Sequence, residues 1–245
     1  MRYALKLVVL LLLVSVFSGC GGGGGGGGTQ NVIRDMRAGD EWLYDVVLTH
    51  GANTYYGAGA TIVTALTYPD FYGNTYRCVS EAVVVEDTGV SKLLYISQDA
   101  NGTLRYHGEF QSPSTIQLVT NPSTGYCIYF RSPMIVGDRY GAQSITYNTG
   151  QTGTWIAEVV GKEQITVPAG TFDCYKISAN YSPPGGHLIT ITIWVSCDAG
   201  WVVKQVNTDG LTVLTRLLST KNRSAAKIPD GVPDPKIEKL LRSLM

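Results

Sequence analysis

The sequence predicts a mainly all-β protein built as a long curved antiparallel sheet, followed by a short C-terminal α-helix. Three observations point there. Charged residues are only 16% of the chain while Gly (29) and Tyr (15) are abundant, a composition of strands and turns rather than of solvated helices. From Glu41 onward, strand-length apolar stretches alternate with clusters of Gly, Pro, Asn and Asp. The clearest stretch, 188–195, sets Ile189, Ile191, Ile193 and Val195 against Leu188, Thr190, Thr192 and Trp194, a period of two that places the isoleucines on one face.

Taken in order, the expected strands are 41–49, 54–66, 74–86, 91–98, 103–109, 115–120 and 125–131, then 139–147, 152–166, 171–181, 187–197, 201–207 and 211–219. Pro183-Pro184-Gly185-Gly186 reverses the chain between 171–181 and 187–197, so those two strands form a hairpin. Asp99-Ala100-Asn101-Gly102 reads as a hairpin turn before it reads as a metal loop. The two sets of strands repeat short signatures: Gly39-Asp40-Glu41-Trp42 with Gly137-Asp138-Arg139-Tyr140, 73–78 with 170–174, and 97–102 with 196–200. Their collinear order suggests pseudo-repeats over 39–131 and 137–219, each half supplying the edge the other must cover. Past Ser219 the chain turns polar and proline-bearing. Asp234-Pro235 then offers an N-cap and first helical position. Ile237, Leu240, Leu241 and Leu244 follow at i, i+3, i+4 and i+7, one apolar stripe that either caps the sheet or contacts a partner.

The beginning of the chain has a different logic. A basic start (Arg2, Lys6) leads into an apolar run, 7–17, then Ser18-Gly19-Cys20 and eight glycines, 21–28. This is the layout of a secretory signal peptide over 1–19, with an apolar run too short to span a bilayer. Ending on Ser18-Gly19-Cys20, it resembles the bacterial lipobox, which implies a lipid on the Cys20 sulfur, cleavage before Cys20 and acylation of its amine. Phe17 stands where that motif has Leu. Gly21, in place of Asp, resembles an outer-membrane sorting signal. Residues 20–38 are then a glycine-rich tether: about 20 flexible residues reach roughly 25 Å on average.

Removing Arg2 and Lys6 leaves a mature chain with two more acids than bases, and no basic excess to follow a phosphate backbone; a nucleic-acid partner is not expected. With Cys20 assigned to lipid, Cys78, Cys127, Cys174 and Cys197 remain, an even number in an oxidising compartment. Four cysteines allow three pairings, and the sequence does not choose among them.

The longest motif runs from Gly161 to Ile177, with Val167-Pro168-Ala169-Gly170-Thr171-Phe172-Asp173-Cys174-Tyr175-Lys176 at its centre. Together with the Gly39 and Gly137 signatures and Gly200-Trp201-Val202-Val203-Lys204, it resembles a group of bacterial envelope lipoproteins whose function is not established. The resemblance covers most of 39–206 and rests on turn-and-strand signatures. It implies fold and location, and by analogy a half-barrel like that of lipoprotein carriers. Cys197 departs from the group's pattern, which favours a Cys174–Cys197 bond and leaves Cys78 with Cys127; buried free thiols are the alternative.

No catalytic constellation is legible. His50, His107 and His187 have no partner at ligand spacing, and His107 with Glu109 reads as a surface pair. No G-x-S-x-G, H-E-x-x-H or phosphate-cradling loop occurs. Asp230-Gly231-Val232-Pro233-Asp234 with Glu238 resembles a fragment of a calcium repeat without its upstream acidic ligands. No cofactor is expected. Two functions fit: a membrane-anchored, non-catalytic module that binds a hydrophobic or amphiphilic ligand or a lipoprotein, or a structural lipoprotein that holds a protein partner through its sheet or its C-terminal helix.

Overall fold

A computed structural model describes residues 31–69, 75–85, 88–112, 117–119, 126–147, 150–183, 186–208 and 212–221. The signal peptide, Cys20, the polyglycine and the C-terminal helix with Ile237, Leu240, Leu241 and Leu244 lie outside the described residues. Within them are thirteen strands: β1 (Glu41–His50), β2 (Asn53–Pro69), β3 (Thr75–Val85), β4 (Thr88–Gln98), β5 (Leu104–Ser112), β6 (Gln117–Val119), β7 (Cys127–Phe130), β8 (Arg139–Tyr147), β9 (Thr152–Val167), β10 (Gly170–Ser182), β11 (Ile189–Ser196), β12 (Trp201–Thr208) and β13 (Thr212–Lys221). Each lies where the alternation of apolar runs and turn residues predicts a strand.

The fold is a long curved antiparallel sheet, ordered β4-β3-β2-β1-β13-β12-β11-β10-β9-β8-β6-β5-β7. β5 also pairs back with β4, so the ladder returns on itself. The seam there is thin. Leu118↔Tyr147 and Val119↔Thr146 are the ladder pairs between β6 and β8, and β8 also meets β7 through side-chain hydrogen bonds. Gln143 accepts from Ile128 N at 2.6 Å and donates to Ile128 O at 3.0 Å, its amide standing in for a ladder peptide.

Strand chemistry sets which face is buried. In β1, Trp42, Tyr44, Val46 and Leu48 point inward and are each at most 1% exposed, while the residues between them are half-buried. β11 does the same with Ile189, Ile191 and Ile193. The hairpin reading holds: Tyr175 pairs with Val195 and Ile177 with Ile193. Inside, aromatic rings meet. Trp201 lies 6.1 Å from Trp42, 5.9 Å from Phe130 and 6.3 Å from Tyr129, and Tyr129 is 6.0 Å from Trp155.

Two corners carry the same contacts. Gly39 N donates to Val63 O at 2.7 Å and Val63 N to Asp40 O at 2.9 Å; Gly137 N donates to Val159 O at 2.7 Å and Val159 N to Asp138 O at 2.9 Å. Arg34 pairs with Asp40 at 2.8 Å and lies over Trp42; Arg131 pairs with Asp138 at 2.9 Å and lies over Tyr140. Just beyond each corner the ladder bulges, between Val63 and Thr67 in β2 and between Val159 and Gly161 in β9. Ladder register makes Cys78 the counterpart of Lys176: Val79 pairs with Val63 and Leu94, as Ile177 pairs with Val159 and Ile193. The sequence match had set Cys78 against Cys174.

Two expectations are corrected here. Residues 31–38, assigned to the tether, belong to the packed domain. Ile33 is 1% exposed and its N–H donates to Ser132 Oγ at 3.0 Å, while Arg34 N donates to Cys197 O at 3.3 Å. Gln98 grips the same segment, accepting from Met36 N and donating to Arg34 O, both at 2.9 Å. His107, expected on the surface, is buried. Tyr95 pairs with Gly108 and Ile96 with Tyr106, so His107 is the extra residue of a β-bulge, whose backbone turns it away from the alternation. Its Nε2 is 2.8 Å from Ser97 Oγ.

The turn at Asp99–Gly102 depends on glycine twice over. Gly102 has φ +86, and a Cβ there would sit 2.5 Å from Ile33 O and 2.9 Å from Ser132 Oγ. At Gly137 φ is +89 but nothing lies within 4 Å. Gly137→Ala should therefore cost about 1–2 kcal/mol of left-handed strain alone. Gly102→Ala should cost more, since backbone must also move. Urea unfolding of the two variants side by side checks this, and equal losses would show that the Ile33 segment yields freely.

Candidate functional site: a thiol-bearing cavity under the β9–β10 hairpin

The motif 161–177 builds a hairpin that bends at the β9 bulge and reaches across to β13, where Ala169 N donates to Leu217 O at 3.1 Å. One side of it carries Ile165, Ala169 and Phe172 onto the core. The other presents Gln164 to Asp173 and Thr166 to Thr171, cross-strand pairs at 3.3 and 3.0 Å. Pro168 and Gly170 make the tip, and Gly170 takes φ +135, as a strand-breaking reversal needs.

Between this hairpin and the turn after β11 lies a cavity of about 310 Å3. Cys174 and Tyr175 line it from β10, Lys162 and Glu163 from β9, Cys197 and Asp198 from the turn. The structure brings Cys174 and Cys197 together here, but as free, buried thiols and not as the expected disulfide. Tyr175 pairs with Val195, so Cys197 falls past the end of the ladder, in the turn rather than directly opposite Cys174. Burial above all pushes both thiols up to about 12, with the neighbouring Asp173 and Asp198 carboxylates adding to it. Held protonated, they are poor nucleophiles at neutral pH.

The Cys78–Cys127 pairing is contradicted as well. Cys127 is a free, buried thiol on β7, its Sγ donating to Ser144 O at 3.5 Å. Cys78 stands on β3, with β4 and β5 between it and β7. Three ladder spacings amount to about 14 Å along the sheet, twice the Cα separation a disulfide tolerates.

Beside the cavity, the outer face carries a row that sequence reading missed. Directly opposed positions run Lys176↔Trp194↔Lys204↔Arg216↔Asp45 across five strands. Lys176 and Lys204 place their ammonium groups 5.3 and 4.6 Å from the Trp194 ring, and Arg216 Nε donates to Asp45 Oδ1 at 3.2 Å. Trp194 Nε1 donates to Glu163 Oε1 at 2.5 Å and Lys176 reaches the same oxygen at 3.2 Å. The Trp194 bond, then Lys176, holds the Glu163 carboxyl below its usual range. The hairpin register, once set by 183–186, contained this signal: it faces Trp194 with Lys176.

Residues 142–211, which include the cavity, match a family described as DUF3108-like. No curated protein matches the chain. Among solved structures, a candidate exported protein of YmcC-like fold from Bacteroides fragilis NCTC 9343 is 12% identical with a TM-score of 0.45, covering 78% of this chain and 99% of its own. A candidate lipoprotein from Parabacteroides distasonis ATCC 8503 is 17% identical with a TM-score of 0.42, over 79% and 99%. A beta-barrel-like protein of domain family DUF1849 from Brucella abortus is 8% identical with a TM-score of 0.40, over 75% and 97%.

Burial of ionisable groups gives an alkaline instability. Cys174 and Cys197 move from 9.0 to about 12 and Tyr140, desolvated by burial, from 10.0 to about 12. The unfolded chain releases these protons first, so stability present below pH 9 should fall as pH climbs from about 9 to 12. Unfolding free energy measured against pH checks it; a Cys174→Ala, Cys197→Ala variant should lose less across that window.

Proposed function

We propose that the chain is a non-catalytic protein of the bacterial cell envelope, anchored by lipid on Cys20 and working as a binding module for a hydrophobic or amphiphilic ligand or a lipoprotein. The observation that carries the binding reading is inside the sheet. Trp42 Nε1, Trp155 Nε1 and Gln205 Oε1 are buried polar atoms with no protein partner, set among aromatic and aliphatic side chains. Leaving such an atom unmatched costs about 1–3 kcal/mol, which a guest with polar atoms along an apolar body relieves. The packed rings around Trp201 take up the interior beside these atoms, so the guest is slender. In support of a non-catalytic role, burial holds the cavity thiols protonated.

The outer row from Lys176 to Asp45 favours a second reading, a structural lipoprotein that meets a protein partner with its sheet exterior. Crosslinking in intact cells from a photoreactive residue replacing Lys204, with and without 235–245, separates the partner-binding surface from the C-terminal helix.

Two measurements test the leading reading. Cys20→Ser should move the protein from the detergent phase to the aqueous phase in cloud-point partition and abolish the lipid mass increment at the mature N-terminus; an unchanged partition rules out the anchor. Native extraction followed by mass spectrometry should find a bound lipid or amphiphile, with Gln205→Leu reducing its yield. A domain that emerges empty and leaves its tryptophan emission unchanged on titration with phospholipid refutes the binding module.

A further inference from the structure

Among the described residues, six large apolar side chains are exposed: Val32, Tyr56, Ile135, Val136, Val160 and Leu188. Exposed apolar residues scattered singly are ordinary. Four of these are not scattered. Met134 N donates to Asn31 O at 2.6 Å, which sets Val32 and Ile135 one residue on either side of a single bond. Gly137 N donates to Val159 O at 2.7 Å, which does the same for Val136 and Val160. Their exposures are 43%, 59%, 50% and 44%, and the turn between them stands clear, with open space around Gly137.

This is also the end at which the chain enters the domain. The N-terminal segment is pinned from Asn31 onward, leaving ten residues, 21–30, between Cys20 and the body. A flexible segment of that length spans about 18 Å on average, against a domain diameter of about 40 Å. At that average span the end bearing Asn31 lies nearest to whatever Cys20 is fixed in, and its far side lies farther off.

We propose that this end is a bilayer contact: Ile135 and Val136, flanked by Val32 and Val160, rest in the headgroup region of the membrane. The proposal rests on the lipid-anchor reading for Cys20 and adds to it an orientation. The strands then stand with the Cys197 turn toward the lipid and the 186–188 turn away from it. Leu188 precedes β11 and lies nine residues from Cys197, on the order of 30 Å along the strand.

The test uses a fluorescent dansyl amino acid replacing Val136, or replacing Leu188 as the far-end control. Full-length protein is reconstituted in phosphatidylethanolamine–phosphatidylglycerol vesicles that carry nitroxide on their headgroups. In a parallel arm, a hexahistidine tag replaces residues 1–20 and holds the chain on nickel-chelating lipid in the same vesicles. In both arms the label at 136 should be quenched about threefold more than the label at 188, as for side chains at headgroup depth. Adding Ile135→Asp and Val160→Asp, both exposed positions, should bring quenching at 136 down to the level at 188. Equal quenching at 136 and 188, or quenching that survives the two aspartates, overturns the contact. If only the full-length arm fails to bind vesicles, the anchor on Cys20 is refuted while the contact is still read in the tagged arm.

Discussion

Trp201 occupies the place where distant parts of the chain must agree. Its ring meets Trp42 from β1, Phe130 and Tyr129 from β7, and through Tyr129 it is linked to Trp155 from β9. Each of those strands reaches the interior only if the sheet curves, because a flat sheet would hold β1, β7, β9 and β12 far apart. Curvature and aromatic packing are therefore one condition. The bulges in β2, β5, β9–β10 and β11–β12 supply the bending, and buried rings, each worth a large apolar area, reward it.

The two glycine–aspartate corners are the hinges of that arrangement. Each uses a glycine with positive φ to let the backbone exchange a pair of hydrogen bonds with the neighbouring long strand. Each buries or half-buries an aspartate, and a charge in that position needs a counterion; Arg34 and Arg131 provide it from the segment just upstream. The arginine is thus the reason that residues 31–36 and 131–134 are packed rather than trailing. It also fixes where the chain enters the domain.

The same packing shapes the chemistry. Thiols that would be reactive in water are neutralised by burial, and the carboxylates around the cavity raise them further. Interior indole and phenol groups keep their polar atoms in an apolar setting. Outside, the charged and aromatic row from Lys176 to Asp45 runs across five strands.

Strand positions were legible in the sequence because they depend on local period and on turn residues: β1, β11 and the 183–186 reversal needed nothing else. The Gly39 and Gly137 signatures marked real corners for the same reason. What failed were statements about distance and facing. His107 was misread because a bulge, which no alternation announces, turns it inward. Cys78 and Cys127 were paired although the order of strands separates them by two others. The start of the domain was placed at Gly39 because the bonds of Ile33 and Arg34 to Ser132 and Cys197 join residues roughly a hundred or more positions apart. By itself the sequence determined the strands, the turns and the export-signal pattern ending at Cys20, all encoded over a few neighbouring residues. Tertiary structure alone decided which apolar residues gather at one end and which polar atoms are buried, because those follow from the ladder's order and curvature.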